Sequence, residues 1–242
     1  MRVTLAQIAP KLNRSNLERA VSIIEEVKEQ SDLVVFPELS LSGYMLQDKL
    51  YEDAWRENEL NVLAELSRDI DIVVGAALRD ENVFRNAGLY FSDGKLQEKH
   101  IKVHLPNYGM FEEARYFEGG EKFEAFELHG KKISMLVCED LWHRDVHKEL
   151  IKLNPDRIIV LVASPARGFS DDGLEIEKKW QNIISQVAKE CKAELLFVNR
   201  VGFEDGLGFW GGSCCVRSDG TIANKLPKFE EKIETVEIEG TK

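Results

Sequence analysis

Three short stretches of this chain carry residues that can do covalent chemistry. Phe36-Pro37-Glu38-Leu39 puts a carboxylate at the end of an apolar, strand-like run, at the edge where α/β folds gather ligands. Lys99-His100-Ile101-Lys102-Val103-His104 sets charged residues in alternation with apolar ones, so a period of two would turn Lys102 to the same face as His100 and His104. Ile133-Ser134-Met135-Leu136-Val137-Cys138-Glu139-Asp140-Leu141-Trp142 runs a buried strand into a cysteine and then into an acidic helix start. Amide dipoles at such a start lower a thiol's pKa. Together the three supply a base, an oxyanion stabiliser and a nucleophile. Singly, each has a plainer reading: a helix cap or solvated acid for Glu38, a polar edge strand for Lys102, and a small core residue for Cys138.

The other cysteines fit the plain reading better. Cys191 falls on the apolar face of a helix, and one of the adjacent pair Cys214 and Cys215 must point inward along a strand. Four irregularly spaced cysteines make neither a disulfide framework nor a paired zinc site, and imply free thiols in a reducing compartment. Two further patterns are rejected. Gly206-Leu207-Gly208-Phe209-Trp210-Gly211 has the glycine spacing of a dinucleotide loop, but a strand-like run follows where a phosphate cradle needs a helix N-terminus. It is read as a tight, aromatic-lined loop. His143 and His147, four apart with Asp145 between them, are spaced like metal ligands on a helix. No third ligand is signalled, so a solvated helix face is preferred and neither a metal nor another cofactor is expected.

The elements that must position these residues alternate between strands and amphipathic helices, the α/β pattern. Strands are expected at Arg2–Ala9, Leu33–Phe36, Ile72–Leu78, Lys131–Val137, Arg157–Ala163, Leu195–Asn199 and Lys232–Ile238. Hairpins are expected across Asp93-Gly94 and Asp219-Gly220. A helix begins at the capping box Ser15-Asn16-Leu17-Glu18, a second covers Trp55–Arg68, and a third carries Ile176, Trp180, Ile184, Val187 and Cys191 on one face. The strands are too many for one doubly wound sheet. A four-layer α-β-β-α sandwich, two mixed sheets with helices outside, accounts for them. No linker or repeat divides the chain, so residues 1–242 are expected to form a single domain.

Composition narrows the functions. Among 242 residues, 32 Lys and Arg face 43 Asp and Glu, a formal net charge of −11, which disfavours nucleic acid and acidic membranes as partners. Hydrophobic residues at 43% indicate an ordinary globular core. No apolar run reaches the length of a membrane span, and the first residues read as strand with no signal segment. A cytoplasmic location is expected.

The three motifs, in this order, resemble the nitrilase superfamily of carbon–nitrogen hydrolases. Glu38 and Lys102 lie 64 residues apart, and Lys102 and Cys138 lie 36 apart; both separations match the family. The stretch Leu105-Pro106-Asn107-Tyr108-Gly109-Met110-Phe111-Glu112-Glu113-Ala114-Arg115-Tyr116-Phe117 and the Cys138–Trp142 segment are similar to the glutaminase domains of glutamine-dependent NAD synthetases. The resemblance implies that Glu113 supports the catalytic Lys102 and that Tyr44 and Tyr108 line the pocket. Glu139, Trp142, Ser164 and Arg167 are further expected to contact substrate. It also implies that Glu38 deprotonates Cys138, that the thiolate attacks a small carboxamide, and that Lys102 with the Glu139 N–H stabilises the oxyanion. A homodimer or larger homo-oligomer is expected. The sequence contains no Ser-Gly-Gly pyrophosphatase loop, and the segment Ala163–Gly168 departs from those glutaminases after its Ser-Pro. Two alternatives stay open: metal-dependent hydrolysis through His143 and His147, and a subunit that delivers ammonia only with a separate synthetase partner.

Overall fold

The apolar runs become strands covered on both faces. The structure is a computed structural model that describes residues 1–238. Its first half contains β1 (Arg2–Gln7), α1 (Asn16–Val27), β2 (Leu33–Val35), the short helices α2 (Leu50–Asp53) and α3 (Asn61–Leu66), β3 (Asp71–Asp80), β4 (Val83–Ser92) and β5 (Lys95–Ile101). There follow α4 (Glu113–Tyr116), β6 (Phe126–Leu128), β7 (Lys131–Val137), α5 (Arg144–Leu153), β8 (Arg157–Val162), β9 (Phe169–Ser170), β10 (Gly173–Leu174) and α6 (Glu175–Cys191). The chain closes with β11 (Glu194–Asn199), β12 (Val201–Glu204), β13 (Leu207–Trp210), β14 (Cys214–Val216), β15 (Ile222–Ala223) and β16 (Lys232–Glu237).

Two six-stranded sheets result, in the orders β16-β1-β2-β3-β4-β5 and β15-β14-β11-β8-β7-β6. Each has three parallel strands at its centre, β1-β2-β3 and β7-β8-β11, flanked by antiparallel ones. Side-chain alternation then sorts the layers. Val3, Leu5, Leu33, Val35 and Val73 face Met135, Val137, Ile159, Leu161, Leu196 and Val198 across the space between the sheets. Their neighbours Val34, Ile72, Val74 and Leu89 turn outward under α1 and α3. On the other side Leu136, Ile158, Val160, Leu195 and Phe197 pack under α5 and α6. The four-layer α-β-β-α sandwich expected from the strand count is the observed architecture. Among the described residues, no helix is long and apolar enough to cross a membrane.

Several local expectations are corrected. The Trp55–Arg68 helix is broken into a 3-10 turn at Glu57–Leu60 and the six-residue α3. Trp55 instead extends the sheet edge, its N–H donating to the Ala77 carbonyl at 2.8 Å and its indole to the Leu41 carbonyl at 3.1 Å. The Ser15 capping box does not form, because the Ser15 hydroxyl donates to Asn13 Oδ1 at 2.5 Å. Residues 206–211 are not a bare loop: β12 and β13 pair as a hairpin across Asp205-Gly206, and strand β14 follows with no helix between. Cys214 and Cys215 are both buried, one under α6 and one between the sheets, because their sheet is covered on each face. All four cysteines are free.

Strand β3 shows how tightly the sheet is built around the end of β2. The segment Pro37–Leu39 crosses directly over Gly75, where a Cβ would lie 2.4 Å from the Leu39 nitrogen and 2.5 Å from the Pro37 carbonyl oxygen. Gly75 also accepts from the Leu41 N–H at 3.1 Å and exchanges hydrogen bonds with the Ser40 hydroxyl. Gly75→Ala must therefore push the Glu38 segment off the sheet. It is expected to cost about 1–3 kcal/mol of stability, the usual range for overpacking, measured by urea unfolding. A variant as stable as the parent would show that this crossing is slack.

Candidate active site

Four buried or half-buried groups converge where strands of both sheets end. Glu38 lies three residues past β2, Lys102 one past β5, and Cys138 one past β7, while Glu113 opens α4. The Glu38 and Lys102 side chains are 0% exposed and Glu113 is 5% exposed. The Lys102 ammonium donates to Glu38 Oε1 and to Glu113 Oε1, each at 2.8 Å. The plainer reading of Glu38 as a solvated acid does not apply. Arg115, two residues past Glu113, pairs with Glu112 at 3.6 Å.

Each carboxylate is held from a second direction. Glu38 Oε1 also accepts from the Asn86 amide at 2.8 Å, and Oε2 from the Ala163 N–H at 2.8 Å. Glu113 Oε1 also accepts from the Tyr44 hydroxyl at 2.5 Å, while its Oε2 is buried without a partner. Tyr44 is in turn set by Glu204, which accepts from the Tyr44 N–H at 2.8 Å and pairs with the buried Arg200 at 2.7 Å. Asp140 ties the Lys102 and Cys138 segments together. It accepts from Val103 N–H at 3.0 Å, His104 N–H at 2.8 Å and Val137 N–H at 3.1 Å, and it pairs with His100 Nε2 at 2.8 Å. Burial alone would raise its pKa, but the His100 and His104 contacts outweigh this and hold it below the usual carboxylate range.

The backbone at the cysteine is strained. Cys138 has φ +45°, a conformation that costs a residue with a side chain of order 1–3 kcal/mol and recurs at functional sites. The strand turns sharply there into a 3-10 turn, Cys138–Trp142. The expected thiolate is corrected. Burial and the Glu38 charge push the Cys138 thiol well above its ordinary value, and Lys102 and the Ala163 N–H only partly offset them. The short 3-10 turn supplies too little dipole to compete. Lys102 shows the reverse balance: burial would lower its pKa, but Glu113 and Glu38 together raise it well above the ordinary value, so the ammonium stays charged. Burial raises Glu113, Lys102 pulls it part of the way back, and Glu38 pushes it up again, to about 7.

A cavity of about 60 Å³ opens on Cys138 and Glu113. Tyr44, Tyr108, Glu139, Trp142, Ser164 and Arg167 all line it. Tyr108 donates to Glu139 Oε2 at 2.9 Å, Trp142 meets Trp180 edge-on at 4.9 Å, Ser164 accepts from the Trp180 indole at 2.9 Å, and the Arg167 guanidinium lies 5.3 Å above Phe111. Asn86, the Ala163 N–H, Asp140 and Glu204 escaped the sequence reading. Strand β5 stops at Ile101, so the period of two does not carry through Lys102. His100 and His104 both stack on Phe123, at 5.7 and 6.0 Å, while Lys102 reaches the carboxylates.

The carbon–nitrogen hydrolase family model matches residues 2–241. The glutamine-dependent NAD(+) synthetase of Acinetobacter baylyi is 33% identical over 240 residues, covering 96% of this chain and 43% of that protein. The enzyme of that name from Thermotoga maritima is 32% identical over 247 residues, covering 99% and 42%. The chain thus spans less than half the length of these curated relatives. Among solved structures, glutamine-dependent NAD+ synthetase from Acinetobacter baumannii superposes with a TM-score of 0.85 at 33% identity, covering 97% of this chain and 44% of that one. A nitrilase-superfamily amidase from Nesterenkonia superposes with a TM-score of 0.82 at 23% identity, covering 98% and 90%, a likeness of fold.

Because Cys138 is the half-buried cysteine and the other three are buried, access favours its alkylation although burial and the Glu38 charge push its thiol pKa up. Iodoacetamide is expected to label Cys138 first, and Glu38→Gln, which removes a charge that raises this thiol, to speed that labelling. Peptide mass mapping checks both. Earlier labelling of Cys191, Cys214 or Cys215, or a rate indifferent to Glu38→Gln, would separate the thiol from the carboxylate. By sequence and by fold, the chain belongs to the carbon–nitrogen hydrolase family.

Proposed function

We propose that this carbon–nitrogen hydrolase cleaves a small primary carboxamide through a Cys138 acyl-thioester, with Glu38 as base and Lys102 as oxyanion stabiliser. The observation that supports this best is the Lys102 ammonium, buried at 2.8 Å from each of two carboxylates beside a cavity that holds a thiol. Glu38 Oε1 is committed to Lys102 and Asn86. Oε2 has one donor, the Ala163 N–H, and that same N–H favours the Cys138 thiolate. Oε2 is therefore the oxygen with a lone pair to spare for the thiol's proton.

The reaction balances with these groups alone. Glu38 takes the Cys138 proton as sulfur bonds to the amide carbon, and the carbonyl oxygen gains charge facing Lys102 and the Glu139 N–H. Glu38 returns the proton to the nitrogen, the C–N bond breaks, and ammonia leaves. Water, deprotonated by Glu38, then attacks the thioester and releases the acid and the thiol. A lysine suits this role because its charge is fixed before substrate arrives. A glutamine-type amide is the first candidate, since the relatives named above are glutamine-dependent synthetases. The relatives' glutamine-dependent synthesis favours a second reading, an ammonia donor to a synthetase partner. That reading requires ammonia release to rise when the synthetase is added.

Ammonia release from glutamine, asparagine, ω-amides of keto acids and aliphatic amides tests the proposal. Cys138→Ala is expected to abolish turnover, and Lys102→Ala to lower kcat by about 10²–10³, as loss of an oxyanion donor does elsewhere. Near-parental kcat with a raised KM in Lys102→Ala would make the lysine a binding group only. The Glu113 value gives a separate expectation. As pH falls through about 7, Glu113 takes up a proton and Lys102 loses one of its two counter-charges, so activity should fall on the acid side. Glu113→Gln should lose that acid limb. With burial less opposed, its Lys102 pKa drops, and activity should decline at high pH sooner than in the parent. Unchanged limbs would make Glu113 purely structural.

A further inference from the structure

The proposed reaction leaves a cluster of imidazoles unused on the outer side of the same junction. His147, the sequence partner of His143, is already occupied: its Nε2 lies 2.7 Å from the Leu141 carbonyl. His143 precedes α5 and does not share its face. Its ring lies flat on that of His104, with centroids 3.7 Å apart and planes 8° apart. Asp145 Oδ2 stands 3.8 Å from His104 Nε2. Ligand atoms of His104, His143 and Asp145 all fall within 4.8 Å of one another, and the buried Nε2 of His104 has no hydrogen-bond partner.

We propose that His104, His143 and Asp145 bind a divalent cation of the zinc class. Two imidazoles and one carboxylate are a donor set such ions take, with water completing a tetrahedron. The three ligands differ in freedom. His104 is held in place: its ring packs on Phe123 at 6.0 Å, and its backbone N–H donates to Asp140 at 2.8 Å. The His143 and Asp145 side chains are 39% and 70% exposed and can swing. Parallel rings aim their lone pairs side by side, so binding requires the His143 ring to turn out of the stack and Asp145 to close by a fraction of an ångström. An otherwise unsatisfied buried nitrogen then gains a partner. The ion would join the residue two past Lys102 to the residue that ends the Cys138 turn. It acts as a staple between the two segments and does not touch the reacting atoms.

Zinc titration of the Cys138→Ala protein, in which the thiol cannot compete, tests this by calorimetry. One equivalent is expected per chain, and affinity should fall at least about 10- to 100-fold in His143→Ala and in Asp145→Ala, since even partners of metal ligands cost that much when removed. Both side chains are partly or largely exposed, so the variants should fold, and circular dichroism verifies this. Co2+ in the Cys138→Ala protein should give the visible bands of a tetrahedral site, absent from its His143→Ala derivative. Zinc should raise Tm in the first protein and not in the second. No stoichiometric binding, or binding equally tight with His143 or Asp145 removed, overturns the proposal; the latter outcome means an adventitious ion only.

Discussion

A fully buried ammonium is the constraint around which this fold is arranged. A lysine side chain with no contact to water is unfavourable by several kcal/mol unless opposite charges replace its hydration. Lys102 has two, Glu38 and Glu113, each at 2.8 Å. Those carboxylates are themselves buried and must be satisfied in turn. Asn86 and the Ala163 N–H serve Glu38, and Tyr44 serves Glu113. Tyr44 depends on Glu204, and Glu204 on Arg200. Removing any one partner leaves a buried charge short of donors, so the network behaves as a unit and not as a set of separable contacts.

The two-sheet architecture lets so many charges meet in one place. Glu38, Lys102 and Asn86 come from the first sheet, and Cys138 and Ala163 from ends of the second. Small residues permit the close approach. Gly75 leaves room for the Glu38 segment, and a Cβ on Gly88 would stand 3.0 Å from Leu161 of the facing sheet. Asp140 then locks the junction between the sheets by collecting three backbone N–H groups and His100. The strained Cys138 backbone sits within this frame and is held there by it.

What could be read from the sequence was what local pattern encodes. Glu38 and Cys138 each follow an apolar run and stood out as polar residues where strands stop, while Lys102 stood out as a charge inside an alternating run. The layered sandwich was legible from the number of strands. Asn86 was not, because it lies inside a continuous strand and faces Glu38 only through the β3–β4 pairing of Ala77 with Asn86. Asp140 read as one more acid after the cysteine. Its role depends on backbone groups 36 and 37 residues away in sequence. The misjudged thiolate has a similar cause: helix dipoles are local, but burial and the Glu38 charge are tertiary, and they outweigh them. Trp55 was pulled from a helix to a sheet edge by contacts with Ala77 and Leu41, which no helical spacing reveals.

The claim that the buried lysine makes cysteine acylation possible is tested most directly by acid-quenched mass spectrometry under saturating primary amide, comparing the parent with Lys102→Met. The account predicts an acyl group, the substrate less ammonia, on the Cys138 peptide of the parent and none in the variant. An adduct of equal yield in Lys102→Met, or ammonia released with the label on another residue, would contradict it.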